Sequence, residues 1–181
     1  MVCLCLASAG ISGAVTTSAA HAANTQIWHV KAIDNDGTLL DVKAIDGAGQ
    51  IHAVKAIQQG GNRHVLDIKA FVDGEVLPVK VLHSDVWPGP VKAIATDGTI
   101  LDIKALTPDG NHLDVKAVGQ SGSILDIKAI SPEGRFLGIK AISPEGHVYD
   151  IKGIKMLDEP VEQTIGGAEV RAHIKALPQV P

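Results

Sequence analysis

Leu101-Asp102-Ile103-Lys104-Ala105-Leu106 followed by Thr107-Pro108-Asp109-Gly110-Asn111 decides the fold. Extended, the first run puts Leu101, Ile103 and Ala105 on one face and Asp102 and Lys104 on the other, the two-residue period of a strand. The second run has Pro at the first central position of a type I turn and Gly at the left-handed position after it. That is the chemistry of a three-residue hairpin loop with a G1 bulge.

The unit recurs. Lys31, Lys43, Lys55, Lys69, Lys80, Lys92, Lys104, Lys116, Lys128, Lys140, Lys152 and Lys175 mark twelve copies, and eight of their eleven intervals are twelve residues. Such regularity implies one supersecondary unit stacked many times. Twelve residues hold one strand and one turn, not a pair of helices. Asp34-Asn35-Asp36-Gly37-Thr38, Ser131-Pro132-Glu133-Gly134-Arg135 and Ser143-Pro144-Glu145-Gly146-His147 repeat the turn. Asp73-Gly74, in the one interval of eleven, reads as a two-residue type I′ turn.

Turn length sets register. Closing the Pro144-Glu145-Gly146 loop pairs Ile142 with Val148, Ala141 with Tyr149 and Lys140 with Asp150. The shorter loop pairs Phe71 with Val76 and Ala70 with Leu77. Each Lys then faces the Asp of the next copy, so Asp102, Lys104, Asp114, Lys116, Asp126 and Lys128 are expected to form one continuous charged ladder, with Lys140 and Asp150 further along. The opposite Leu, Ile or Val, and Ala face is apolar and is the natural core. The fold class expected is all-β: an antiparallel meander of about twelve short strands built from 12-residue repeats, closed or folded back as a barrel or prism. Pro78, Trp87-Pro88-Gly89-Pro90 and the interval from Lys155 to Val170 interrupt the ladder and mark corners.

Composition narrows the partners. A net charge of -4, singly spaced lysines and 3% aromatics argue against a nucleic-acid surface. No segment approaches the eighteen consecutive apolar residues of a transmembrane helix. Residues 1–22 read as a signal peptide: Val2 to Val15 is apolar, and Ala20-His21-Ala22 has the small-x-small form of a cleavage site, although no basic residue precedes the apolar stretch. Residues 23–181 read as a single repeat-built β domain, secreted or periplasmic. Cys3 and Cys5, the only cysteines, fall in the leader, so the mature chain would contain no disulfide and no thiolate ligand.

Candidate chemistry is sparse. The Asp-Lys array recurs too often for an active site, and each Asp beside a Lys is held in its ordinary charged form. Asp34, Asp36 and Asp41 resemble the start of a calcium loop, but position twelve is Ile45 and the flanks are strands. His29 and His173 occupy the Asp position of the first and last copies, and a closed barrel would make their strands neighbours. No third metal ligand follows from the register. No metalloprotease, nucleophile-elbow or phosphate-loop motif is present.

The segment His83-Ser84-Asp85-Val86-Trp87-Pro88 departs furthest from the repeat. It makes Trp87, Trp28, His83 and Asp85 the candidate binding residues, with Trp87 either an exposed recognition residue or a plug. The sequence thus points to a secreted non-enzymatic repeat protein, a binding or structural module for an extracellular glycan or protein partner, with no cofactor. A cell-envelope or outer-membrane β-barrel is the second reading, and a hydrolase with a site formed by turns the third.

Overall fold

The computed structural model describes residues 25–60, 64–155 and 163–179. The expected leader over 1–22 and the acidic stretch from Leu157 to Glu162 lie outside them. Thirteen strands are formed by the described residues. They are β1 (Thr25–Ile33), β2 (Leu39–Ile45), β3 (Ile51–Gln59), β4 (Leu66–Val72) and β5 (Glu75–Leu82). Next come β6 (Gly89–Ile94), β7 (Ile100–Leu106), β8 (His112–Ser121) and β9 (Ile124–Ile130). The last are β10 (Phe136–Ile142), β11 (Val148–Ile154), β12 (Gln163–Ile165) and β13 (Ala168–Pro178). Each repeat lysine sits on one of these strands, and only the short β12 lacks one.

The turns follow their sequence chemistry. Gly37, Gly110, Gly134 and Gly146 have φ between +79° and +89°. Gly146 N–H donates to Ser143 O at 3.0 Å and Ser143 N–H to His147 O at 3.0 Å, closing the loop and its bulge. Asp73 and Gly74 both take positive φ, 48° and 88°, as a type I′ turn requires. Consecutive strands are antiparallel neighbours from β1 to β11, and Lys140↔Asp150, Ala141↔Tyr149 and Ile142↔Val148 are in the expected register.

The molecule is not a β-barrel, and the simple meander is incomplete as a description. A barrel strand has two neighbours, whereas each long strand here pairs with three other long strands. β7 pairs through residues 100–102 with β6, through 104–106 with β8 and through 102–106 with β2. The long strands form four triads: β1, β2 and β3; β4, β5 and β13; β6, β7 and β8; β9, β10 and β11. Six antiparallel pairs join every triad to every other: β1–β10, β2–β7, β3–β4, β5–β6, β8–β9 and β11–β13. This is the connectivity of a tetrahedron with its corners cut. Strands of about seven residues explain it, because each is long enough to pair by halves with two triad partners and across its middle with a third strand.

All the strands turn their aliphatic face inward. The twelve residues one before each repeat lysine, among them Val30, Ile103 and Ile174, line one central space of about 10 Å³. A water needs at least that much room together with polar partners, so the space is dry. Ala32, Ala44, Ala105 and their equivalents after the lysine are fully buried, as are Leu66 and Leu125 three residues before it. Strands this close to one another favour a small residue beside the lysine, Ala in ten copies and Val81 the one larger residue; a Cβ on Gly153 would meet Leu125 Cβ at 3.1 Å. The inward apolar face also overturns the outer-membrane barrel, which needs that face outward against lipid. No helix among the described residues is long and apolar enough to cross a membrane.

Candidate functional site

Each triad presents a ring of alternating positions on the outer surface, built from the Lys of each strand and the residue two before it. Within a triad every Lys lies opposite the Asp position of the next strand. In the third triad the order is Lys92, Asp102, Lys104, Asp114, Lys116 and Pro90. Lys92 binds Asp102, and Lys104 binds Asp114 while lying 3.9 Å from Asp102. Lys116 Nζ is 3.7 Å from Asp114. These lysines hold both carboxylates below the usual range: the hydrogen bond from Lys92 acts most strongly on Asp102, and that from Lys104 on Asp114, against a smaller opposing effect of burial.

The fourth triad has Lys140 bound to Asp150 and Lys152 bound to Asp126 at 2.6 Å, with Lys128 opposite Gly138. The ladder expected to run through Lys116, Asp126 and Lys128 is therefore broken. Lys116 faces Pro90, and Asp126 turns to Lys152 of its own triad. The reason is topological, since β8 to β9 is a crossing between triads, and there Lys116 lies opposite Lys128.

Lysine opposes lysine at all six crossings: 31 with 140, 43 with 104, 55 with 69, 80 with 92, 116 with 128, and 152 with 175. Like charges directly opposite are unfavourable unless carboxylates flank them. At five crossings at least one lysine has an Asp within 4.0 Å. The exception among the described residues is Lys55 with Lys69. Lys55 faces His29, whose Nδ1 it approaches at 3.2 Å, and Lys69 faces Pro78.

The two triads that meet there are the least acidic. The first ring has Lys31, Lys43 and Lys55 with Asp41 and His29; the second has Lys69, Lys80 and Lys175 with Asp67 and His173. At these ring positions three lysines stand against one carboxylate in each. The electrostatics register this excess. The pKa of His29 is lowered by Lys55 above all, then by burial and Lys31. Burial, followed by the charge of Lys43, lowers that of Lys55. His173, in contact with Lys80, is pushed down to about 4 by burial, Lys80 and Lys175. Burial raises Asp67, yet its bond from Lys175 and the charges of Lys175, Lys69 and Lys80 together bring it below the ordinary value.

A second feature lies between the second and third triads. Gly89 occupies a strand position that most copies fill with Leu, and a Cβ there would meet the Trp87 ring at 3.5 Å and Val81 at 3.2 Å. Trp87 is anchored by its Nε1–H donating to Val118 O at 3.3 Å, and Arg171 Cζ lies 5.7 Å from the ring centroid. The residue as a whole remains 44% exposed. Arg171 sits in a bulge of β13, where the register shifts between Val170 and Ala172. Its Nε and His83 Nδ1 are buried without a hydrogen-bond partner among the described residues, the kind of polar debt that marks a departure from ordinary packing. His83 Nε2 is 3.9 Å from Asp85, whose side chain is fully exposed.

A protein-family model described as a family of unknown function (DUF7486) matches residues 24–177. The chain belongs to this family. No curated protein and no solved structure matches it.

In this DUF7486 domain the other sequence candidates take structural positions. Trp28 is buried, packs on Tyr149 at 4.7 Å between ring centroids, and donates to Gln58 Oε1 at 3.1 Å. It is separate from Trp87 in both place and exposure. His29 and His173 lie in different triads and β1 does not pair with β13, so the proximity expected from barrel closure is not found. Asp34 and Asp36 accept backbone N–H groups of Asn35 and Thr38, as turn acids do. Among the described residues no group of three His, Cys, Asp or Glu side chains is placed to hold a metal ion. Sequence reading missed Arg171 and the Lys55–Lys69 crossing. Pro78 and His29 in place of Asp were the available signal for the second.

Proposed function

We propose that the mature domain is an exported, non-enzymatic binding module that engages an extracellular glycan or protein partner through the tip carrying Trp87. The observation behind this reading is the mounting of that ring: one edge fills the gap over Gly89, Nε1 is tied to Val118, Arg171 lies on it, and the residue stays exposed. A large aromatic already held in place binds with little further loss of side-chain entropy. The filled interior favours a ligand on the outer surface, since its central space is about 10 Å³. Export is supported by the leader-like residues 1–22.

The test is retention of the mature protein on a glycan array. Trp87→Ala is expected to weaken retention on any glycan found by about tenfold or more, as loss of an aromatic hot spot does. Arg171→Gln, which leaves the ring over Gly89, should weaken it less. Circular dichroism reports whether each variant is folded. Unchanged retention by folded Trp87→Ala would remove the tip from the reading.

A further inference from the structure

We infer that the edge between the first two triads, centred on Lys55 and Lys69, is a binding site for a sulfated or carboxylated polysaccharide. This site is separate from the Trp87 tip. Lys55 and Lys69 lie directly opposite each other on β3 and β4, and no carboxylate pairs with either among the described residues. Lys31, Lys43, Lys80 and Lys175 complete the two rings, whose Asp positions hold one carboxylate each, Asp41 and Asp67. Elsewhere the same architecture supplies a carboxylate to at least one lysine of each opposed pair. The repulsion left at this edge would be relieved by an anion bridging the two ammonium groups. A surface concavity of about 250 Å³ lined by Ile57, Gln59, Val65, Asp67 and Lys69 adjoins the edge and gives a chain of sugar rings a place to lie.

The chemistry favours a polysaccharide over nucleic acid. The cations are lysines, compact point charges suited to spaced sulfate or carboxylate groups. The excess is largest at one edge of a protein whose net charge is -4, whereas duplex binding calls for a broad basic face.

Heparin and dextran sulfate, with neutral dextran and single-stranded DNA beside them, are the probes for the full mature chain. Retention on the two sulfated polymers, falling as salt rises, is expected, with none on dextran. Lys55→Gln combined with Lys69→Gln should weaken that retention about fivefold, a modest loss for each half-buried charge. Lys140→Gln, which removes the same charge from a lysine bound to Asp150, should change it far less, and so should Trp87→Ala. Lys69→Glu should abolish retention while leaving the melting temperature unchanged or raised, because it puts an opposite charge against Lys55. Equal losses for the paired and unpaired lysines would reduce the effect to net charge and overturn the site. So would stronger retention on DNA than on the sulfated polymers, or a marked fall in melting temperature for Lys69→Glu.

Discussion

His173 stands where the typical repeat has Asp, and this one replacement moves the pH at which the fold begins to weaken. Asp102 and Asp114 in the third ring have depressed pKa values, so their contribution is complete above about pH 4 and lost only below that. His173 is depressed from 6.5 to about 4 by burial and the lysines Lys80 and Lys175. Between those values the unfolded chain binds a proton there that the folded chain refuses. Stability contributed by the neutral ring is thus whole above about pH 6.5 and declines as pH falls towards 4. His29, lowered chiefly by Lys55, adds a slope of the same sign. Urea midpoints measured from pH 7 to pH 4.5 should fall for the native chain and fall less for His173→Asp, which restores the charge pattern of the ring. Equal slopes would contradict the assignment. The inward and outward sides of the repeat were legible at this scale, because Leu101, Ile103 and Ala105 alternate with Asp102 and Lys104. Trp28 was not: nothing in the sequence separates a buried tryptophan from an exposed one until Gln58 and Tyr149 are placed around it.

Hairpins are the elements the sequence specifies best, since Pro-Asp-Gly and Pro-Glu-Gly runs fix both turn type and register. What they do not specify is which turns meet. Gly98 and Gly110 occupy equivalent turns with φ of +90° and +86°. A Cβ on Gly110 would find open space, whereas one on Gly98 would lie 2.4 Å from the carbonyl oxygen of Gly166. Gly110→Ala is expected to cost about 1–2 kcal/mol of left-handed strain. Gly98→Ala should cost about 1–3 kcal/mol more, because the backbone of a second turn must shift. Chemical denaturation of the two variants measures the difference, and equal destabilisation would mean the Gly98–Gly166 contact is not made. The crossing elements were less legible than the hairpins. The fourteen-residue interval from Lys55 to Lys69 and the twenty-three-residue interval from Lys152 to Lys175 are crossings between triads, but so is the regular twelve from Lys116 to Lys128. Spacing alone therefore cannot tell a hairpin within a triad from a crossing between two.

At the scale of the whole molecule, closure comes from sharing each strand among three neighbours, not from joining the first strand to the last. An apolar face on every copy requires closure, which is why a folded-back architecture was readable. The choice of a tetrahedral net over a barrel depends on strand length and twist, and on pairings such as β9 with β11 that skip a copy. Lysine meets lysine only at crossings, and the edge of Lys55 and Lys69 is carboxylate-poor because His29 and Pro78 stand at the Asp positions facing them. Backbone nuclear Overhauser contacts between β9 and β11 test the net most directly. Leu125 lies opposite Gly153 and Ile124 opposite Ile154, so strong cross-strand contacts between these residues are expected. In a barrel or plain meander β10 would stand between them at about two strand spacings, roughly 9–10 Å, and the absence of those contacts would contradict the net.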